Sequence, residues 1–350
     1  MKKYLIENKY SYYDYELTDW QNFCLEHSFE KYRAKQITDA LYHGKNSPEK
    51  FTNLPIRVRE AISEHTDFKS MEVIRRLESE LDGTVKYLFK LFDGAYVEAV
   101  LMFYKYGASL CISTQVGCAM GCEFCASAKL GLERNLSAGE MLEQVCLISS
   151  GEKVNIHNVV LMGIGEPLDN LANVLRFIDV VSRPDVMNIG KRRISVSTCG
   201  LPEQIKYLAS IKPQFTLSIS IHAADQEKRA KIMPIARKYD LDTLLAACRH
   251  YLARGGKRIS FEYIMLKGFN DGIDDAVKLA ELLKGMLAHV NLIPTNEIPG
   301  SPFHASRRTD ILKFKEYLEK KGISCTVRRS LGQDIMAACG QLRKKQIESE

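Results

Sequence analysis

No stretch of this 350-residue chain approaches the ~20 consecutive apolar residues that a bilayer-crossing helix needs, so a membrane span is not expected. The start, MKKYLIENKYSYYDYELTDW, also lacks an apolar segment of signal-peptide length, because Glu7, Asn8, Lys9 and Asp14 interrupt it. Internal repeats, long linkers and low-complexity tracts are missing too. Charge of one sign is scarce: 49 Lys+Arg against 43 Asp+Glu leave +6, which permits a polyanionic partner without demanding one. Hydrophobic residues at 45% and charged residues at 26% exclude collagen-like and wholly disordered chains. The expectation is a globular cytoplasmic protein with one large domain and a smaller one.

What is present is cysteine, ten of them. In a secreted mini-protein ten would suggest five bridges. In a long chain with a full hydrophobic inventory and a reducing home, clustered cysteines point instead to metal binding or chemistry.

Apolar positions at helical spacing mark helices over Trp20–His27, Tyr32–Leu41 and Leu54–Ile62, giving a helical accessory region over 1–70. Lys31, Arg33, Lys35, Arg57 and Arg59 punctuate it, either as a solvated face or as phosphate contacts. Over 71–107 the period changes. Val85–Phe92 and Tyr96–Met102, separated by Asp93-Gly94, predict a linking β-hairpin. From 108 to 345 strands alternate with helices. The strands are expected at Ser109–Thr114, Asn158–Met162, Ile194–Thr198, Phe215–Ile221, Ile259–Ile264, Val290–Ile293 and Ile323–Val327. One intervening helix opens on Ser137-Ala138-Gly139-Glu140, a capping box, and others are expected over 171–182, 241–253, 272–286 and 309–320. This is an α/β pattern with a parallel sheet, either open and doubly wound or curled into a partial barrel. Ligands of both architectures sit at the carboxyl ends of the strands.

Just past the first of these strands lies Gly117-Cys118-Ala119-Met120-Gly121-Cys122-Glu123-Phe124-Cys125. Structural zinc sites favour four ligands in C-x₂-C pairs, and no fourth Cys or His stands nearby. Three thiolates on an iron–sulfur cube would leave one iron open. The loop resembles the signature of the radical S-adenosylmethionine (SAM) superfamily. Further segments extend the likeness: Thr114–Cys118, Gly163-Ile164-Gly165-Glu166-Pro167-Leu168, Lys191–Thr198, Ser218–Ala223, Asn291-Leu292-Ile293-Pro294 and Ala337–Leu342. With Tyr32–Gln36, they make essentially the whole chain resemble the RlmN family, which methylates C2 of adenosine in 23S ribosomal RNA and, in some members, in transfer RNA.

That resemblance implies a partial (β/α)6-type radical SAM barrel, with Cys118, Cys122 and Cys125 holding a [4Fe-4S] cluster. It implies two SAM molecules per turnover, one the methyl donor and one the radical source. Gly165, Glu166, Ser197, Ser220, Ile221, His222 and Asn296 would contact SAM, Glu166 offering a carboxylate to its ammonium. Cys339 would carry the transferred methyl group, and Cys111 would resolve the covalent RNA adduct through a transient disulfide with Cys339. The detour has a chemical reason: C2 of adenine is electron-poor and has no nucleophilic lone pair, whereas a carbon radical can add there. Glu98, a carboxylate in the apolar run Tyr96–Met102, is costly to bury unless paired, and is the candidate base for the adduct's C2 proton.

The implied partners are 23S rRNA, tRNA and an electron donor such as flavodoxin or ferredoxin, with the chain acting as a monomer. Basic pairs at Arg192-Arg193, Lys257-Arg258, Arg307-Arg308, Arg328-Arg329 and 343–345 would form a phosphate-contacting rim if they gather on one side. The target base must leave its stack to reach a buried site. Two rivals stand beside this reading. The related Cfr type methylates C8 of the same adenosine, but Pro167 and Pro294 look more like RlmN. A non-catalytic iron–sulfur RNA-binding protein has no need of two extra placed thiols. Cys199 and Met336 depart from the family pattern, Met336 within the Cys339 loop.

Overall fold

The computed structural model describes residues 11–65, 70–127, 131–295, 302–335, 342 and 346. Three helices come first: α1 (Leu17–Glu26), α2 (Arg33–Tyr42) and α3 (Ile56–His65). Each buries one stripe, Trp20 and Cys24 on α1, Ala34, Ile37 and Leu41 on α2, Val58 and Ile62 on α3, as their three- and four-residue spacing requires.

The strands that follow are β1 (Glu72–Glu78), β2 (Val85–Lys90), β3 (Tyr96–Tyr104), β4 (Gly107–Cys111), β5 (Gln115–Gly117) and β6 (Leu132–Asn135). Then come α4 (Ala138–Glu152), β7 (Ile156–Leu161), α5 (Leu171–Val181), β8 (Ile194–Thr198), α6 (Pro202–Ile211), β9 (Thr216–Ser220), α7 (Gln226–Ile232) and α8 (Leu241–Ala253). The chain continues through β10 (Ile259–Met265), α9 (Ile273–Leu282), β11 (Ala288–Pro294), α10 (Arg308–Lys320) and β12 (Ser324–Val327).

One sheet takes ten of these strands in the order β1-β2-β3-β4-β7-β8-β9-β10-β11-β12, and β5 and β6 form a second, two-stranded sheet. From β4 to β12 every neighbour is parallel, while β1 to β4 are antiparallel. Helices supply the crossovers that parallel strands need. The expected hairpin is present as β2 and β3, turned at Asp93-Gly94, where Gly94 has φ +87° and Asp93 Oδ1 accepts from Ala95 N at 3.2 Å. Its strands pair into the main sheet, and β1 lies outside them.

The sheet does not close: among the described residues no pairing joins β12 to β1. It does curl. Val100 and Met102 of β3 and Leu331, beyond β12, belong to one apolar cluster, so its two flanks face a common space. This is the partial barrel of the sequence expectation.

Some boundaries moved for identifiable reasons. The ladder of β4 ends at Cys111, and at Ser113 the backbone turns to a side chain, Ser113 N donating to Gln144 Oε1 at 3.0 Å. Helix α9 stops at Leu282 rather than 286, and Gly285 takes φ +76° in the turn beyond. The capping box is formed, with Glu140 N donating to Ser137 Oγ at 3.1 Å and Ser137 N to Glu140 Oε2 at 2.9 Å.

The amino-terminal segment docks on this same helix end. Gly139 N donates to Asp14 Oδ1 at 2.7 Å, Ser137 Oγ to Asp14 Oδ2 at 2.6 Å, and Ser11 Oγ to Glu143 Oε2 at 2.7 Å. A Cβ at position 139 would stand 2.4 Å from Asp14 N, so glycine permits the close approach.

Candidate active site

The cysteine loop leaves β5 through Gly117, whose φ of +80° suits glycine and where a Cβ would lie 1.9 Å from Gly131 O. Cys118 N donates to that carbonyl at 2.8 Å, fixing the loop's start on the neighbouring strand segment. Its far side is held by Glu123 N donating to Ile232 O at the end of α7, at 3.0 Å. Cys118, Cys122 and Cys125 all line one cavity of about 360 Å³ at the carboxyl ends of the parallel strands.

The turn after β7 brings Gly163, Gly165 and Glu166 to the same cavity. Gly165 has φ +111°, and a Cβ there would meet Gln115 Cβ at 2.7 Å. Glu166 is buried, and backbone donors reach both its carboxylate oxygens: Cys199 N to Oε2 at 2.7 Å and Leu168 N to Oε1 at 2.9 Å. The side chain thus ties the end of β7 to the end of β8. Burial raises its pKa, and these hydrogen bonds pull the other way.

Ser197 and Ser220 also line the cavity, their hydroxyls 3.5 Å apart across the ends of β8 and β9. His222 follows with φ +57°, an uncommon conformation for a non-glycine residue. Asn270 holds it there, Nδ2 donating to His222 O at 2.7 Å. Ile264 N donates to His222 Nδ1 at 3.1 Å, so the neutral ring carries its proton on Nε2. Burial, with Arg229 adding to it, pushes this imidazole down to about 3. Phe124 of the cysteine loop meets the ring edge-on at 4.8 Å. Ile221 is not in the cavity wall: its side chain is buried in the main core, and its carbonyl accepts from Arg229 Nε at 3.2 Å.

On the opposite flank Glu98, Val100 and Met102 alternate along β3 onto the cavity face, and Cys111 lies on β4 beside them. Glu98 is buried and ion-paired with Lys86 at 3.0 Å. Burial raises the Cys111 thiol above its ordinary pKa. Asn296 and Cys339 lie outside the described residues, as do Met336 and 343–345.

The chain matches the Radical SAM superfamily over residues 112–283. A protein of Alkaliphilus metalliredigens named "Probable dual-specificity RNA methyltransferase RlmN" is 44% identical over 95% of both chains. One of the same name from Clostridium botulinum is 46% identical over 96% of this chain and 97% of its own. The crystal structure of a radical SAM methyltransferase from Sphaerobacter thermophilus superposes with TM-score 0.89 at 38% identity, covering 95% of this chain and 99% of that one.

The chain belongs to the RlmN family.

Membership of a radical SAM family implies a [4Fe-4S] cluster and SAM. The cavity suits such a group. Among the described residues no three Cys, His, Asp or Glu side chains close on a single metal ion. Three thiols around one cavity without a single-ion site fit a polynuclear cluster better than a lone zinc. Burial is the main cause that pushes the Cys118 thiol up to about 12 and raises Cys122 as well, so these two favour the protonated form until a cation binds beside them.

Several residues of this RlmN site carried no flag in the sequence. Glu262 on β10 lines the cavity, buried, accepting from Asn291 Nδ2 at 2.8 Å and Ser260 Oγ at 2.9 Å. The rule that singled out Glu98, a carboxylate in an apolar strand, would have found it in Ile259–Ile264. Lys86 could have been found as the cation two residues off register from Glu98 on the paired strand. Arg229 is 1% exposed and, among the described residues, bonds only carbonyls, Cys199 O at 2.7 Å, Ile221 O at 3.2 Å and Tyr239 O at 3.4 Å, stapling β8 and β9 behind the site. No sequence signal marks it.

The described basic pairs do not gather on one side. Arg192-Arg193 and Lys257-Arg258 precede β8 and β10, at the amino ends of parallel strands and away from the cavity. Arg307-Arg308 start α10, and only Arg328-Arg329 follow a strand and line the cavity. All nine described cysteines are free thiols, so no disulfide stands among them.

Proposed function

We propose that this protein methylates C2 of adenosine in 23S rRNA and in tRNA, with Cys339 carrying the methyl group and Cys111 releasing the product. The observation that carries the reading is one cavity walled by three cluster-type cysteines on one flank and by a separate buried thiol, Cys111, beside a buried carboxylate, Glu98, on the other. A protein that only bound RNA would have no use for that second thiol.

When bound, the [4Fe-4S] cluster and two successive SAM molecules supply the methyl group and the radical chemistry. The chain's own groups do the rest. Ser197, Ser220, His222 and Asn296 offer hydroxyl, imidazole and amide contacts to SAM, with Gly165, Glu166 and the Ile221 backbone shaping its seat. Glu98 takes the proton from C2 of the adduct, and Lys86 stabilises the charged carboxylate that must do so. Residues 1–70 serve as the RNA-binding accessory region, joined through the hairpin over 71–107 to the barrel over 108–345. The protein works as a cytoplasmic monomer and takes its electron from a donor such as flavodoxin or ferredoxin.

Mass spectrometry of adenosines from 23S rRNA and tRNA, with and without the gene, tests this. The expected result is 2-methyladenosine that disappears with the gene. An 8-methyl isomer in its place would make the enzyme Cfr-like, and no change in either nucleoside would sink the reading.

A further inference from the structure

We propose that Tyr104 and Tyr106, with Arg328 and Arg329 opposite, form a stacking platform at the cavity lip that holds a nucleotide flanking the reacting adenosine. The inference rests on the RNA methylation reading above and adds a subsite to it.

Side chains alternate along a strand, so Glu98, Val100, Met102 and Tyr104 share one face of β3. The first three line the cavity, and Tyr104 continues the row beyond them. It packs against the cluster of Val100, Met102 and Cys111, residues that themselves line the cavity, which places it next to the cavity's apolar wall. After the turn Tyr106 folds back on it, with ring centroids 5.0 Å apart and planes only 6° from parallel. Tyr106 is 66% exposed, so one face of its ring rests on Tyr104 while the other meets solvent.

An exposed aromatic ring next to a cavity is weak evidence for any ligand; its surroundings narrow the choice. Arg328 and Arg329 leave β12 toward the same lip and both line the cavity, where Arg328 has the buried Glu262 as an electrostatic neighbour. Both act electrostatically on Tyr104. A flat ring with an open face, near two guanidinium groups at the same lip, matches a base and its phosphate: the ring stacks a base of any identity, and the arginines take the backbone charge. An adenosine drawn out of its stack leaves a neighbour that has lost its own partner. Tyr106 replaces that partner at the rim while the adenosine enters.

The test is binding of a fluorescein-labelled stem–loop RNA with an unpaired adenosine, followed by anisotropy over a salt series. Tyr106→Leu should weaken binding roughly five- to hundredfold, the usual worth of one stacked base, and leave the salt slope unchanged. Tyr106→Phe should bind within twofold of wild type. Arg329→Gln should reduce the salt slope by about one unit. Abasic replacement of the nucleotide on one side of the adenosine should cost wild type the same factor and cost Tyr106→Leu nothing more. Tyr106→Leu protein that binds as tightly as wild type, with an unchanged melting temperature, overturns the platform alone. Wild-type protein that binds no RNA overturns the function reading as well.

Discussion

Lys86 Nζ lies 3.0 Å from Glu98 Oε2, and the two side chains are 0% and 2% exposed. They are diagonal neighbours on β2 and β3, since Lys86 pairs with Val100 and Leu88 with Glu98. Burying both charges is expensive, and the ion pair offsets part of the cost. Lys86→Met should therefore destabilise the fold by about 3–5 kcal/mol, as should Glu98→Leu, while the double variant recovers much of the loss. Urea unfolding of all four proteins measures the coupling. Additive single-variant losses would show that the pair contributes nothing as a pair.

Cys118, Cys122 and Cys125 share the cavity wall with two further thiols, Cys111 on the opposite flank and Cys199 after β8. Anaerobic reconstitution of the Cys118/Cys122/Cys125 triple alanine variant should give no iron–sulfur absorption, whereas Cys199→Ala should load normally. Cys199 gives its backbone N–H and carbonyl to Glu166 and Arg229, contacts that alanine keeps, and only its thiol contact with Glu166 is lost. Loss of the cluster in Cys199→Ala would mean that the ligand set is wrong.

For Cys111 the separation of roles predicts a different failure. Cys111→Ala should accumulate a covalent protein–RNA species, visible as a shifted band that survives denaturation and disappears with ribonuclease. Free methylated RNA at normal turnover would remove the resolving role.

The strand–helix alternation was legible because each parallel strand is an apolar run bounded by polar turns; Ile194–Thr198 formed with the predicted bounds. The cysteine loop and the Gly-Ile-Gly-Glu turn were legible because their spacing is local. What the sequence hid depends on long-range closure. Arg229 reads as one more charge on the short polar helix Gln226–Ile232 until the fold buries it against three carbonyls. Lys86 alternates with apolar residues in a way that suits a solvent face, and only its register with Glu98 turns it inward. The basic pairs misled in the opposite direction, because sequence gives their number but not the end of the sheet at which each stands.

Glu143 of α4 holds the amino-terminal segment, accepting from Ser11 Oγ at 2.7 Å and Met71 N at 2.9 Å. Burial pushes its carboxyl up to about 8. The folded state then keeps a proton that the unfolded chain releases near its ordinary value of 4.5, so this contribution to stability is full below about 4.5 and lost as pH rises through about 8. Glu143→Gln, which keeps an acceptor for Met71 N, should flatten that decline. Unfolding free energies at pH 5, 7 and 9 would check it; equal slopes for variant and wild type would place the effect elsewhere.

His222 runs with the opposite sign. Its folded pKa of about 3 lies below the ordinary 6.5, so between those values the unfolded chain takes a proton that the folded protein refuses. Stability from this group is therefore full above about 6.5 and lost as pH falls toward 3. Asparagine tolerates the left-handed backbone at this position and carries a short acceptor, so His222→Asn should fold and lose less stability than wild type on acidification. His222→Val, with a branched Cβ at φ +57°, should be destabilised at every pH, because its cost is steric rather than protonic. In binding, both variants lose the Nε2–H donor that the Ile264 hydrogen bond fixes on this ring, so both should weaken SAM binding by a similar factor despite their different stabilities. Calorimetric titration of SAM into the reconstituted variants separates the two effects. Wild-type affinity in His222→Asn would confine His222 to a structural part.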